Sequence, residues 1–152
     1  MISVQTQDFD VGHEYQELIK QNSSDGAVVF FVGLVRDVNQ GNMVNGLSLE
    51  HYPGMTEKAL LEIVTEAQNR WSLGKVRLIH RVGQLSISDQ IVFVGVTSKH
   101  RESAYEASQF IMDFLKNRAP FWKKERTTKG DCWVEMNDKD VKAQARWQSE
   151  NK

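Results

Sequence analysis

Between Lys116 and Lys129 the chain sets six basic residues, Lys116, Arg118, Lys123, Lys124, Arg126 and Lys129, against a single acid, Glu125. Positive charge of that density beside Phe121 and Trp122 suits a ligand that carries both a phosphate and an aromatic ring. The plainer alternative is a solvated basic hairpin whose two aromatics serve the core. Alternation along a strand puts Phe121, Lys123 and Glu125 on one face and Trp122, Lys124 and Arg126 on the other. A lysine beside other cations has its charged form disfavoured, and can then act as a base or nucleophile near neutral pH. Beside Glu125 the ammonium of Lys123 is stabilised instead, and the sequence leaves both effects standing.

Lys116 shares a helix line with Met112, Gln109 and Tyr105. That mixed face can border a cleft, although an ordinary helix-end lysine answering the dipole explains it equally well. His100 and Arg101 open the same helix, where backbone N–H groups and two basic side chains either hold a phosphate or simply face water. Arg36 ends the most apolar run of the chain and precedes a polar stretch, where charged side chains line sites or reach solvent. Other signals are weak. His51, His80 and His100 are scattered without metal-ligand spacing, so no metal is expected. Glu50 and His51 are adjacent in a strand and point to opposite faces. Neither a phosphate loop nor a nucleophile elbow is present. Cys132 alternates with Trp133 and reads as packed rather than nucleophilic.

The elements that must position these residues come from 152 residues, 40% apolar and 26% charged. A chain of this size builds one domain with a core that needs no disulfides. The net charge of −1 argues against coating nucleic acid by bulk charge, so any anion site must be a local cluster. One cysteine excludes an internal disulfide and a multi-cysteine metal site. No secretory signal and no apolar span long enough for a membrane are visible, and a reducing cytoplasm is the expected compartment.

A short helix is expected after Asp10, with Tyr15, Leu18 and Ile19 facing inward. The run from Gly26 to Arg36 reads as a buried strand because its apolarity is nearly continuous. Asp37 to Asn45 reads as a loop. Gly46 to Tyr52 reads as a half-buried strand with Leu47, Leu49 and His51 on one face. A long helix is expected from Pro53 to Trp71, with Leu60, Ile63, Val64, Ala67 and Trp71 on one side; Thr56 caps it or Pro53 opens it. Strands follow at Lys75–Val82 and Gln90–Thr97, with turns at Gly83 and at Ser86–Asp89. A second long helix, Glu102 to Arg118, buries Ala104, Ala107, Ser108, Ile111, Phe114 and Leu115 and ends at Pro120. Strands Phe121–Arg126 and Cys132–Met136 join at a turn over 128–131, and Asp138 caps a last helix to about Trp147. Without strict strand–helix alternation, the expected class is α+β: a single domain over 1–152 with a largely antiparallel sheet, two long helices, and a flexible tail after about 147.

Four blocks carry a likeness to a known family: LEHYPGMTEKAL (49–60), IHRVG (79–83), VFVGVTSKHR (92–101) and FIMDFLKNRAPFWKKE (110–125). They resemble the large, catalytic subunit of molybdopterin synthase, and the likeness runs from about Phe9 to Trp147 in the same order. The resemblance implies an α+β sulfurtransferase of molybdenum cofactor biosynthesis. It would convert cyclic pyranopterin monophosphate to molybdopterin, with sulfur arriving as a thiocarboxylate on the C-terminal Gly-Gly of a small ubiquitin-like subunit. Two large subunits would form a central homodimer with a small subunit at each end, a heterotetramer, and no metal or cofactor would take part. Carried over by position, the family's essential lysines fall on Lys116 and Lys123. Its substrate-binding residues fall on Phe31, Arg36, His100, Arg101, Met112, Lys124 and Glu125. Lys124 stands where arginine also occurs, and Asn137 where some relatives are basic.

The alternative is a dimeric scaffold that binds a ubiquitin-like partner without chemistry, which the presence of both Lys116 and Lys123 speaks against. A nucleic-acid module built on 116–129 ranks below both. Helix geometry adds one expectation. His100 and Lys116 stand sixteen residues apart on one helix, roughly 24 Å at about 1.5 Å per residue. A single pterin ligand cannot reach both ends, so His100 and Arg101 would serve the lysines of a second copy.

Overall fold

A computed structural model of the protein describes residues 1–39, 42–127, 130–134 and 138–147. The order of elements is β1 (Ile2–Gln5), α1 (Val11–Ile19), β2 (Ala27–Leu34), β3 (Val38–Asn39), β4 (Asn42–His51), α2 (Met55–Arg70), β5 (Leu73–Arg81), β6 (Gly83–Ser86), β7 (Gln90–Ser98), α3 (Arg101–Arg118), β8 (Phe121–Thr127), β9 (Gly130–Val134) and α4 (Asp138–Ala145). The α+β class and the predominance of antiparallel pairing agree with the sequence reading. The strands, however, divide between two sheets. The first has the order β1-β5-β7-β2, with only β1 and β5 parallel. The second runs β3-β4-β8-β9, and β6 also pairs with β4.

The main core lies where α2 and α3 cover one face of the first sheet. Leu60, Ile63, Val64 and Ala67 of α2 and Ala107, Phe110, Ile111 and Phe114 of α3 meet Val76, Leu78, Val92, Val94 and Val96. The expected stripes of both helices are therefore the buried ones. Trp71, expected on that stripe, is only half-buried against this core, and Phe110 and Asp113 are buried in addition because α4 closes over α3. Trp147 is the latch: its indole N–H donates to Asp113 Oδ2 at 2.6 Å, and its ring meets Phe110 and Trp71 edge-on. On the opposite face of the sheet, Leu18 of α1 packs with Phe9, Ile79 and Phe93.

A third cluster joins the sheets. It gathers Val35, Leu47, Leu49, Val82 and Leu85, with Phe121 at its border. Gly83, at φ +89°, makes the turn from β5 into β6, a conformation that suits a residue without Cβ. The chain thus passes from one sheet to the other five times: after β2, through α2, at Gly83, between β6 and β7, and from α3 through Pro120 into β8.

Several expectations need correction. Within the segment read as a loop over 37–45, Val38–Asn39 and the residues from Asn42 on are instead the antiparallel strands β3 and β4. The expected turns at Gly83 and Ser86–Asp89 hold, but between them lies a short strand, Gly83–Ser86, that the sequence did not suggest and that forms because β4 offers it a partner. In α1, Ile19 is exposed and Glu14 is buried in its place, bonded to Arg77 Nε at 2.6 Å. Gly54, not Thr56 or Pro53, caps α2, and its N–H donates to Glu57 Oε2 at 2.6 Å. Thr56 lies inside the first turn, its hydroxyl donating to the Tyr52 carbonyl. The largest difference is β2. It is an edge strand and not a doubly covered one, leaving Phe30, Phe31 and Leu34 exposed at 42%, 45% and 53%. Expectations for Lys129, for the β9 strand beyond Val134, for Asn137 and for the tail after 147 fall outside the described residues. The same holds for the side chains of Cys132 and Asp138. Among the described residues no helix is long and apolar enough to cross a membrane.

Candidate active site

The register of the second sheet builds the site. Antiparallel pairing sets His51 opposite Phe121, Leu49 opposite Lys123 and Leu47 opposite Glu125. Directly paired residues share a face, so Phe121, Lys123 and Glu125 all stand on the inner side with Leu47 and Leu49. Trp122, Lys124 and Arg126 take the outer side, as alternation predicted. The two aromatics therefore part ways: Phe121 joins the core, whereas Trp122 is 48% exposed. The idea of a hairpin with both rings in the core does not hold.

Lys116 is exposed near the C-terminal end of α3, on the line with half-buried Met112 and exposed Gln109 and Tyr105. A short link through Pro120 returns the chain into β8, with the Phe121 N–H donating to Ala119 O at 2.9 Å. This turn leads from the helix end that carries Lys116 to the strand face that carries Lys123, and the charges of both act on the ring of His80. His80 is 4% exposed and lies on the face of β5 that also carries Val76 and Leu78. Its ring stacks on Phe121 at 3.8 Å between centroids, with 17° between the planes. Burial pushes the His80 pKa down to about 3, and the positive charges of Lys123, Lys116 and His51 push the same way. Its Nδ1 lies 2.8 Å from the Arg81 carbonyl. A carbonyl only accepts, so Nδ1 carries the hydrogen and Nε2 of the neutral ring keeps its lone pair. His51 stands on the other side of Phe121, and its Nδ1 lies 3.8 Å from Glu57 Oε1.

The rest of the basic cluster is dispersed. Arg118 turns to α2, where it bonds Glu66 at 2.9 Å and covers the Phe114 ring. Lys124 pairs with Asp131 at 3.9 Å and lies over Trp133 on the outer face. Arg126 crosses over Gly46. Arg36 is exposed just past β2, and its neighbour Val35 is held by backbone bonds to Asp89 and Ser88. Phe31 lies on the α3 side of the edge strand, so it and Met112 belong to facing elements. His100 and Arg101 stand exposed at the far end of α3, and the imidazole of His100 makes no capping bond. One chain thus gathers Lys116, Lys123 and Glu125 near the junction of the sheets and leaves His100 and Arg101 a helix length away.

His80 was missed as a site residue. Its signal was available: alternation places it with Leu78 on a buried face, and nothing in the sequence accounts for an imidazole there. Among the described residues no cluster of histidine, cysteine and carboxylate could hold a metal.

Comparison with known proteins identifies the family and agrees with the fold. The chain is 62% identical over 146 residues to the molybdopterin synthase catalytic subunit of Escherichia coli K12, covering 96% of this chain and 97% of that one. Among solved structures, the molybdopterin biosynthesis MoaE protein of Burkholderia ambifaria superposes with a TM-score of 0.83 at 47% identity, covering 97% of each chain. Molybdopterin synthase of Staphylococcus aureus superposes with a TM-score of 0.80 at 33% identity, over 87% of this chain and 95% of that one. The family model described as MoaE protein matches residues 4–118, three quarters of the chain, and with full-length relatives above 30% identity this places the chain in the MoaE protein family.

Proposed function

We propose that the chain is the catalytic subunit of a molybdopterin synthase. It converts cyclic pyranopterin monophosphate to molybdopterin, taking two dithiolene sulfurs from the C-terminal thiocarboxylate of a small ubiquitin-like subunit. The observation that carries this reading is that Lys123 shares the inner face of β8 with Phe121, whose ring lies on buried His80, while Lys116 stands at the end of the helix that leads into that strand. Both reactants are anionic, one through its phosphate and the other through its thiocarboxylate. Two ammonium groups offset their repulsion as they approach. The thiocarboxylate sulfur forms a C–S bond at a side-chain carbon of the pyran ring as the C–O bond there breaks and its oxygen leaves with the electron pair and takes a proton; water then adds to the acyl carbon and breaks the C(O)–S bond, freeing the carrier as a carboxylate and leaving the sulfur on the pterin. Lys116 and Lys123 move protons in these steps and stabilise the oxyanion that forms as the acyl link opens.

In this scheme Arg36, Lys124, His100 and Arg101 hold the phosphate and pterin, Phe31 and Met112 line the pocket, and Glu125 orients the lysines. No metal or cofactor takes part. The chain works in the cytoplasm as a homodimer, with a small subunit docked on each copy. Two observations support the dimer: the exposed apolar edge of β2, and the helix length that separates Arg101 from Lys116. The test is to mix the chain with a thiocarboxylated small subunit and cyclic pyranopterin monophosphate and to assay molybdopterin. Product formation is expected. Binding of the small subunit without any product overturns the catalytic reading in favour of a scaffold.

A further inference from the structure

We infer that His80 is a positioning residue for this reaction: its buried ring, stacked flat on Phe121, fixes the start of β8 against the first sheet and so sets where Lys123 stands relative to Lys116. The inference rests on the function proposed above. Its argument begins with connectivity. Lys116 and Lys123 are seven residues apart, and the link between them leaves a helix, passes Pro120 and enters a strand. Only Ala119 and Pro120 of that link lie outside α3 and β8, and at those two residues the path has no regular hydrogen-bonded frame, so how β8 meets α3, and with it the distance between the two ammonium groups, depends on what the start of β8 packs against. Phe121 is the first residue of β8 and stands on the same face as Lys123, two residues before it. The ring closest to it is His80, at 3.8 Å and nearly parallel.

His80 can serve as that surface because it is itself immobile. It belongs to β5, which is paired on both sides, to β1 and β7. Its Nδ1–H is bonded to the Arg81 carbonyl, which fixes the ring plane. It is also held neutral by burial and by the positive charges of Lys123 and Lys116. A protonated ring there would be a further cation among the lysines, whereas the neutral ring offers a flat, uncharged face. The register then carries the position onward, since His51 stands opposite Phe121 and Leu49 opposite Lys123. A misplacement of about 1 Å in a reacting group can cost on the order of a hundredfold in rate, so a stack that fixes the first residue of β8 matters to the chemistry.

The test compares His80→Leu, which keeps an apolar side chain but has no flat face, with His80→Phe, which restores one. Both are assayed with the thiocarboxylated small subunit and cyclic pyranopterin monophosphate. His80→Leu is expected to lower kcat about tenfold or more, while substrate KM and small-subunit Kd stay within about threefold; His80→Phe stays within about threefold of the wild type throughout. Phe121→Leu should lower kcat likewise, and the double variant His80→Leu/Phe121→Leu should be no slower than the worse single one. Full kcat in His80→Leu, a His80→Phe variant as slow as His80→Leu, or additive losses in the double variant overturns the inference. If His80→Leu does not fold, His80→Phe decides alone, and a tenfold loss there overturns it. A wild-type chain that makes no molybdopterin overturns the proposed function and this inference together. An active wild type with an indifferent His80 overturns the inference alone.

Discussion

Lys116 and Lys123 reach the site by different means, and that difference shapes what their replacement should do. Lys116 is exposed at a helix end, and Lys123 is half-buried on the inner face of a sheet. Lys116→Ala and Lys123→Ala are each expected to remove most molybdopterin formation while small-subunit binding persists. Lys123→Arg should also be poor, because a guanidinium does not give up its proton. A folded variant turning over at the wild-type rate removes that lysine from the mechanism. Arg36→Ala is expected to weaken substrate binding by roughly 1.5–3 kcal/mol, the range for a lost charge-assisted bond, and calorimetric titration checks it. His80 makes a prediction about stability. Its folded pKa of about 3 lies below the ordinary histidine value of 6.5, so between those values the unfolded chain binds the extra proton. Stability from this group is complete above pH 6.5 and falls as pH drops toward 3, by up to about 1.4 kcal/mol per unit. Urea unfolding of the wild type and His80→Phe across that window should show a shallower pH slope in the variant. Equal slopes would contradict a buried neutral histidine.

The elements behave as positioning devices whose ends matter more than their middles. Helix α3 carries the proposed substrate-binding pair at its first turn and Lys116 at its last, and the residues just after α4, Arg146 and Trp147, hold it through Asp113. Trp147 fills the space between α2 and α3, bonds Asp113, and receives Arg70 on its carbonyl at 3.2 Å. Trp147→Ala removes a buried ring and takes the indole donor from the Asp113 carboxylate, 6% exposed, which keeps the Gln109 amide at 2.8 Å and Arg146 at 3.9 Å. The expected cost is about 3–5 kcal/mol. Denaturant titration measures it, and a loss below about 1 kcal/mol would show that α4 is not locked by this residue.

For the whole molecule, the decisive feature is the uncovered edge of the first sheet. An apolar edge strand with Phe30, Phe31 and Leu34 on the surface is a hazard for a monomer and a ready contact for a second copy. Leu34→Glu should therefore shift the chain toward monomer in sedimentation equilibrium and lower activity, although Leu34 holds no assigned role in the chemistry. Mixed dimers test the shared site directly. A His100→Ala/Arg101→Ala chain paired with a Lys116→Ala/Lys123→Ala chain should recover one working site per dimer. Heterodimers that form and remain as inactive as either parent mean that each copy builds its site alone.

Residue spacing by itself determined the helices, the faces of α2, α3 and β8, and the α+β class, because periods of 3.6 and 2 are local properties of the backbone. The same locality made Lys116, Lys123, Arg36, His100 and Arg101 visible as candidates, through their types and the blocks in which they stand. Tertiary structure alone decided the matters that depend on neighbours distant in the chain. Whether a strand forms between the turns at Gly83 and Ser86–Asp89 depends on β4 being there to pair with it. Whether the apolar run of β2 is buried depends on its place at the end of the strand order, which apolarity cannot express. His80 belongs to the same group. Its ring is a site feature only because Phe121, forty-one residues later, folds back to lie on it and brings Lys123 with it. Burial and charge then act on that imidazole through space, and no local pattern records them.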